Sequence, residues 1–358
     1  MRRGELEKHN YLVELHRVTT EDGYLLTMSR IPPKTRATPL LLLSEFFGSS
    51  VDFTVQGPNR SLAFLAHSGG FDVWMGNNRG TTFSKRHRSL SADSKRFWRF
   101  SFHELGLYDL AAMVDYVLGV TGSDRVQFVG LSQAAATFLA LTSLRPEYNE
   151  RFAGVHLVAP VAFLHHTTSS LRVLTSYKDL ISDISHDLRG YELLGRGFDG
   201  SPMDAVAIAV KSGLIPVEMI LKSVWTLFGY HDSIDRSLVP EIMQYTPAGA
   251  SIFQVIHFMQ IFKAKCFQQY DFGAIENLQR YNCSEPPEYP LDKVTAPVHI
   301  YHSSFDNLNQ PGDVEELIRR LPNVVQKYQV RGWNHLDFFY SSEAHVLYKL
   351  ILSTIKKS

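Results

Sequence analysis

Residues 126–134 read Val-Gln-Phe-Val-Gly-Leu-Ser-Gln-Ala, and this stretch decides the fold of the chain. Its apolar, partly β-branched start predicts a buried strand that ends at Gly130, and a helix-prone segment begins just past Ser132. A serine at the apex of a sharp strand-to-helix turn is the arrangement of a nucleophile elbow. Strand and helix nearly touch there, so the positions two before and two after the serine need small residues. Gly130 and Ala134 meet that need.

The pattern Gly-x-Ser-x-Ala is one step away from Gly-x-Ser-x-Gly and allows two interpretations by itself. In one, Ser132 is a nucleophile held clear of its surroundings. In the other, the serine lies beside small residues at a helix N-terminus and has no catalytic meaning.

Two later residues lie where a serine nucleophile needs a base and an orienting carboxylate. In α/β-hydrolases these groups follow in the order Ser, then Asp or Glu, then His. Asp306 comes just past a predicted buried strand at 296–301, and His335 follows a further predicted strand at 324–330. Singly, Asp306 is also explained as a turn residue and His335 as a surface-loop residue. Their order along the chain favours a triad with Ser132.

Strand and helix signals alternate along most of the chain. Strands are predicted at 11–19 and 24–31, as a hairpin around Asp22-Gly23, and then at 40–43, 71–75, 126–129 and 155–159, with a helix at 108–118. This alternation indicates an α/β fold with a mostly parallel sheet and helices on both faces.

From residue 165 to residue 289 the strand signal fades, and helical apolar stretches appear at 217–228 and 252–262. We interpret 165–289 as a helical cap inserted into a core made of residues 1–164 and 290–358. The Phe, Leu, Ile and Met side chains of this cap favour an apolar substrate. They are equally expected to pack the cap onto the core.

The sequence argues against nucleic acid, a membrane span, a signal peptide and a metal. The 36 basic and 36 acidic residues balance, which argues against nucleic acid. No segment has the length and purity of a membrane span. Residues 1–9 contain no apolar h-region, which predicts that no signal peptide is present. His165-His166 fits no metal-ligand spacing, so neither a metal nor a cofactor is predicted.

The chain contains two cysteines, Cys266 and Cys283, which are close enough in sequence to pair. A disulfide is one expectation, and two free buried thiols are the other. Sequons occur at Asn59 and Asn282, but a chain of this length produces roughly one or two by chance.

Beyond these patterns, the chain from His9 to its end resembles the acid lipases of the lysosomal and gastric type, including their insect relatives. The resemblance rests on six motifs in the expected order: Val-Thr-Thr-Glu-Asp-Gly-Tyr (18–24), Gly-Pro-Asn-Arg-Ser-Leu-Ala-Phe (57–64), Phe-Asp-Val-Trp-Met-Gly-Asn-Asn-Arg-Gly (71–80), Phe-Trp-Arg-Phe-Ser-Phe-His-Glu (97–104), Thr-Pro-Ala-Gly-Ala-Ser (246–251) and Trp-Asn-His-Leu-Asp-Phe (333–338). It implies an α/β-hydrolase fold, with Ser132 as nucleophile, His335 as general base and acid, and Asp306 as its orienting partner.

The same resemblance implies an oxyanion hole formed by the backbone N–H groups of Gln133 and Phe46. This chain departs from the family just before Phe46, where Ser44-Glu45 replaces a His-Gly pair. If the Glu45 carboxylate turns inward, burial and a neighbouring anion raise its pKa. In the alternative it turns to solvent or to a nearby arginine and matters little.

The expected function is therefore that of a serine hydrolase. It would cleave carboxylic esters of lipids, triacylglycerol or cholesteryl ester, through an acyl-enzyme and make transient contact with lipid surfaces. By resemblance, the protein would be secreted or lysosomal. The alternative is a catalytically weak or inactive lipid-binding relative, which the Ser44-Glu45 departure supports and the intact triad opposes.

Overall fold

The computed structural model describes residues 9–177, 191–196 and 201–357, without the side chains of 174–177. The prediction about a signal peptide concerns residues that lie almost wholly outside these ranges. Parts of the predicted cap, at 178–190 and 197–200, also lie outside them.

Eight strands form one sheet: β1 (Glu14–Thr19), β2 (Leu25–Ile31), β3 (Pro39–Leu43), β4 (Asp72–Gly76), β5 (Val126–Leu131), β6 (Phe152–Val158), β9 (Val298–Ser303) and β10 (Val324–Val330). They lie side by side in the order β1-β2-β4-β3-β5-β6-β9-β10. The first two strands form the predicted antiparallel hairpin, and β2 pairs antiparallel with β4. The other neighbouring strands of the sheet pair in parallel. Strands β7 (Glu192–Leu193) and β8 (Ala250–Ser251) form a separate antiparallel pair.

The central strands are mostly apolar, as expected for strands whose two faces are both buried. Every residue of β3, β4 and β5 is buried. One apolar cluster lies on each face, represented by Val114 and Phe138 on one side and by Phe64 and Ile351 on the other. Both clusters contain helical residues, so the prediction of a mostly parallel sheet with helices on both faces is confirmed.

The helices of the core lie between the strands of the sheet or after the last of them in sequence. They are α1 (Leu62–Ser68), α2 (Phe102–Glu104), a π-helical turn (Leu105–Leu110), α3 (Ala111–Thr121), α4 (Gln133–Leu144), and, after β9, α10 (Pro311–Arg320), α11 (Asp337–Tyr340) and α12 (Ala344–Ile355).

Between β6 and β9 the described residues are mostly helical. The helices are α5 (Pro202–Lys211), α6 (Val217–Phe228), α7 (Val239–Ile242), α8 (Ile252–Ala264) and α9 (Ala274–Tyr281). Helix α6 has the predicted bounds, and α8 extends two residues beyond its predicted end. The domain limits at 165 and 289 stay a prediction.

The expected disulfide between Cys266 and Cys283 is wrong, because both thiols are free. Cys266 is half-buried and its Sγ donates to Gln268 Oε1 at 3.1 Å, whereas Cys283 is exposed. The expectation of two buried thiols therefore fails for Cys283. Each cysteine follows the end of a different helix, α8 or α9, and proximity in sequence did not bring the two together.

Candidate active site

The turn between β5 and α4 has the geometry of a nucleophile elbow. Ser132 has φ 51° and ψ −110°, a strained conformation for a residue with a Cβ. Its amide donates to Val158 O at 2.9 Å, which fixes the turn against β6. A Cβ placed on Gly130 would lie 2.7 Å from a ring carbon of Phe128 and 3.2 Å from the Ala134 Cβ. The extra methyl of Ala134 is therefore accommodated only because position 130 is glycine.

The structure brings the three predicted triad side chains together from three loops at the carboxyl ends of parallel strands. Ser132 Oγ lies 2.8 Å from His335 Nε2, and His335 Nδ1 lies 2.6 Å from Asp306 Oδ2. All three residues are buried. Since the His335 ring bridges the hydroxyl and the carboxylate, its Nδ1 donates to Asp306 and its Nε2 is left to accept a proton from Ser132.

Asp306 is held rigidly by the loop that follows β9. Its Oδ1 accepts the amide N–H of Leu308 at 2.8 Å and that of Asn309 at 2.9 Å. Asp306 is thus both the turn residue of the simpler interpretation and the partner of His335. The two descriptions do not exclude each other, since each uses a different carboxylate oxygen.

The loop that carries His335 is fixed by a second aspartate that the sequence analysis missed. Asp337 is fully buried and accepts the Asn334 amide at 2.6 Å, His231 Nδ1 at 2.8 Å and the Ser233 hydroxyl. Asn334 Nδ2 in turn donates to Gly229 O at 2.9 Å. The segment just after α6 therefore positions the His335 loop. The signal was present in the Asn-His-Leu-Asp run, but its partners lie about 100 residues away in sequence.

The site is covered in this structure. Ser132 is 4% exposed and His335 is 2% exposed. Phe228, the last residue of α6, stacks on the His335 ring with a centroid separation of 5.7 Å and an interplanar angle of 19°. Residues of the 165–289 segment, Phe228 among them, therefore cover the site.

The two backbone amides predicted for an oxyanion hole belong to Gln133 and Phe46. Gln133 is the first residue of α4, where an N–H has no intrahelical acceptor. Phe46 lies in the turn after β3. Among the described residues, neither N–H group donates to a backbone carbonyl of a turn or loop. The Gln133 side chain is fixed by Gln254 of α8, whose Nε2 donates to Gln133 Oε1 at 3.0 Å.

Glu45 is buried, so the interpretation in which it turns to solvent or to an arginine is wrong. Its carboxylate accepts from Ser44 Oγ at 2.7 Å and from Tyr340 OH at 3.1 Å. A second buried carboxylate, Asp52, shares both of these donors, at 3.0 Å from Ser44 Oγ and 2.8 Å from Tyr340 OH. Thr246 Oγ1 also donates to Asp52, at 2.6 Å.

Burial raises the pKa of Glu45 to about 8, and the neighbouring Asp52 carboxylate adds to this rise. Burial also raises the pKa of Asp52. If both carboxylates were ionised, they would repel each other strongly, because little water reaches them. Well below pH 8, Glu45 therefore holds its proton, and the residue next to Phe46 then adds no negative charge to the site.

We expect Glu45→Gln to flatten the pH dependence of stability. Between the ordinary pKa of 4.5 and about 8, folded Glu45 keeps a proton that the unfolded chain has lost. The stability from this group is complete below pH 4.5 and is lost as pH rises to 8, by up to about 1.4 kcal/mol per pH unit. Urea unfolding at pH 5 and pH 8 measures the loss, which should be smaller in the variant by at least about 1 kcal/mol. Glu315→Gln, at an exposed position, is the control and should behave as wild type. An unchanged pH dependence in Glu45→Gln would show that Glu45 already ionises at its ordinary pKa.

Comparisons with known proteins agree with this fold. Residues 38–179 match the family model described as the alpha/beta hydrolase fold, and residues 5–68 match a partial alpha/beta-hydrolase lipase region. Among solved structures, a soluble variant of monoglyceride lipase from Saccharomyces cerevisiae aligns with a TM-score of 0.55 at 15% identity, covering 96% of this chain and 94% of that one. At this identity the likeness shows the fold alone.

Several curated relatives align along nearly the whole chain. Lipase 1 of Drosophila melanogaster is 36% identical over 98% of this chain and 79% of that protein. Human gastric triacylglycerol lipase is 31% identical over 97% of this chain and 88% of that protein. The lysosomal acid lipase/cholesteryl ester hydrolase of Macaca fascicularis is 31% identical over 97% of this chain and 87% of that protein. The chain thus belongs to the family of acid lipases of the gastric and lysosomal type, has the α/β-hydrolase fold, and is a lipase, a hydrolase of carboxylic esters.

Proposed function

We propose that this lipase cleaves lipid esters through an acyl-enzyme formed on Ser132. The observation that carries the proposal is the continuous contact from Ser132 Oγ to His335 Nε2, at 2.8 Å, and from His335 Nδ1 to Asp306, at 2.6 Å, at a strained elbow. A serine that only caps a helix has no need of a buried histidine and carboxylate behind it. The arrangement has the geometry by which such triads are recognised.

In the proposed reaction, His335 Nε2 takes the Ser132 proton as Oγ attacks the ester carbonyl. The resulting imidazolium is stabilised by the Asp306 carboxylate. The tetrahedral intermediate collapses as the C–O bond to the alcohol breaks, and His335 gives its proton to the departing oxygen. Water then attacks the acyl-enzyme, again with His335 as base, and releases the fatty acid and the free Ser132 hydroxyl.

The Gln133 and Phe46 amides are proposed to bind the oxyanion of each tetrahedral intermediate. Gln133 lies at the N-terminus of α4, where the helix dipole also favours negative charge. Preorganised donors of this kind are worth roughly 3 to 4 kcal/mol each in the transition state. A neutral Glu45 leaves that stabilisation intact at the pH values where it holds its proton.

A fluorophosphonate probe distinguishes this proposal from a lipid-binding relative without turnover. The Ser44-Glu45 pair remains the feature that favours the second function, since it replaces the usual residues beside Phe46. We expect the probe to label the wild-type chain once, on Ser132, with tryptic peptides identifying the site. Ser132→Ala should not be labelled. A folded wild-type chain that resists labelling, even with detergent present to open the site, would favour the binding function.

The proposed substrates are triacylglycerols or cholesteryl esters, the molecules named for the human and macaque relatives. Both are large and apolar, and Ser132 and His335 are buried in this structure. The Phe228 side chain and the helix that carries it must therefore move before an ester carbonyl reaches Ser132. By the same relatives, whose names place them in stomach and lysosome, we propose that the protein is secreted or lysosomal.

We also propose that the end of α5, the start of α6 and the residues between them touch the lipid surface. Three large apolar side chains are exposed within twelve residues of sequence: Ile208, Leu214 and Met219, with Leu214 81% exposed. No helix in the described part of the chain is long and apolar enough to cross a membrane. Contact at the surface of a lipid particle would bury these side chains without insertion of a spanning segment.

The double variant Ile208→Ser with Leu214→Ser should lose activity on emulsified triacylglycerol by about tenfold or more. Burial of one such side chain is worth about 1.5 to 3 kcal/mol, so adsorption to the emulsion weakens. Hydrolysis of a soluble short-chain ester should stay unchanged, because neither residue is part of the triad. Leu12→Ser, at a similarly exposed position outside this region, is the control. Equal losses on both substrates would contradict a role in surface contact.

A further inference from the structure

We propose that His165, His166 and Asp313 form a binding site for a divalent transition metal of the zinc class, separate from the Ser132 triad. The candidate ligand atoms of the three residues all lie within 4.8 Å of one another. His165 Nδ1 is 3.5 Å and His166 Nδ1 is 3.1 Å from the same oxygen, Asp313 Oδ1.

The fold presents these groups from two neighbouring loops of the sheet. The two histidines lie in a turn that follows β6, and Asp313 lies in the first turn of α10, after β9. Both oxygens of Asp313 are 3.2 Å from the His166 amide, which donates to the carboxylate and fixes its position. A Cβ at Gly312 would lie 2.8 Å from His166 Nδ1, so the glycine allows the ring to approach the helix start.

The distances match the coordination geometry of zinc. Zinc binds nitrogen and oxygen ligands at about 2.0–2.1 Å, usually in a tetrahedron, which separates neighbouring ligand atoms by about 3.3 Å. The two observed nitrogen-to-oxygen separations, 3.1 and 3.5 Å, lie on either side of that value. The His166 side chain is half-exposed and has room to adjust to a bound ion.

The chemistry of the donors also suits a transition metal. Two imidazoles and one carboxylate are borderline ligands, of the kind that zinc and its first-row neighbours prefer over calcium or magnesium. Asp313 is only 1% exposed, so little water reaches its carboxylate. A dication held at this carboxylate would compensate its negative charge. The exposed side of His166 provides an entry path and leaves room for water as a fourth ligand.

A metal here would join two loops that the structure already connects. The amides of Thr168 and Ser169 both donate to Asn307 O at 2.9 Å. Asn307 directly follows Asp306, and Asp313 lies seven residues after Asp306. The bound metal would therefore strengthen the attachment of the Asp306 loop to the chain that follows β6, without touching the reacting groups.

Sequence alone predicts no metal at His165-His166, because adjacent histidines have no recognised ligand spacing and the third donor is 147 residues away from His166. The test is zinc binding by the full chain, measured by calorimetry with Zn²⁺ alone. We expect one zinc per chain at the site. His166→Ala and His165→Ala should each weaken binding at least about tenfold, since even outer-sphere partners of metal ligands cost 10- to 100-fold.

His345→Ala is the matched control, because this partly buried histidine contacts the Ser342 carbonyl and belongs to no candidate metal cluster of the described residues. It should bind zinc as wild type does. X-ray absorption of the zinc-loaded chain should show only nitrogen and oxygen ligands, at about 2.0–2.1 Å. A thermal melt of each variant without zinc confirms that the chain is folded. Failure of folded wild type to bind micromolar Zn²⁺, unchanged affinity in both histidine variants, or sulfur ligands near 2.3 Å would each overturn the proposal.

Discussion

Replacing Ser132 by alanine should lower the turnover of a long-chain ester by about a millionfold, the usual cost of removing a triad nucleophile. The side chain makes a hydrogen bond to His335 at 2.8 Å, and its removal leaves no large cavity. Alanine faces the same strained backbone at φ 51° that serine already tolerates, so the elbow should persist. The melting temperature should stay within a few degrees of wild type, and initial rates on an emulsified ester measure the loss.

Ser143→Ala is the matched control for this experiment. Ser143 is buried on the same helix, α4, but its hydroxyl contacts Ala140 O rather than a histidine. This variant should retain wild-type turnover. Unchanged hydrolysis by folded Ser132→Ala would rule out Ser132 as the nucleophile, because the remaining hydroxyls have no such contact with His335 in the described chain.

Asp306→Asn should lower turnover by about ten thousandfold with little change in KM, because it traps His335 in the wrong tautomer. The Leu308 and Asn309 amides donate to Oδ1 and will keep the amide oxygen of an asparagine at that place. The new NH₂ group then faces His335 Nδ1, where it can only donate. That nitrogen must become an acceptor, and Nε2 carries the proton toward Ser132 and no longer acts as a base.

Asp72→Asn is the control for this variant. Asp72 is also a buried carboxylate, but it pairs with Arg30 at the start of β4, at the edge of the sheet opposite to Ser132. It should cost stability and leave turnover unchanged. Steady-state rates across pH 5–8, together with thermal melts, separate the two effects. Equal losses of turnover in both variants would mean that Asp306 acts through general stability rather than through His335.

Local patterns determined much of this fold. The mostly apolar runs at 40–43, 71–75 and 126–129 predicted the strands β3, β4 and β5, whose residues are all buried. Helix α6 and strand β10 have their predicted bounds, and the Asp-Gly turn predicted the first hairpin. Periodicity and turn residues are properties of neighbouring residues, so one sequence is enough to read them.

The sequence also predicted that Ser132, Asp306 and His335 lie together, because parallel strands end at one edge of the sheet and gather the loops that follow them. The same reasoning missed Asp337 and its partner His231, which hold the His335 loop from another part of the chain. It also predicted a Ser132 side chain held clear of its surroundings. The structure buries that serine beneath residues of the 165–289 segment, and no local pattern predicts what packs above a turn.

Only tertiary structure decided the surroundings of Glu45, the cysteines and the histidine pair. Glu45 shares Tyr340 OH with Asp52, and this contact spans 295 residues of sequence. Cys266 and Cys283 are near in sequence and nevertheless free, while His166 and Asp313 are far apart and in contact. The physical reason is common to these cases. The charge of a buried group, the pairing of a thiol and the ligands of a metal depend on which atoms meet in space, and the packing of the whole chain sets those meetings.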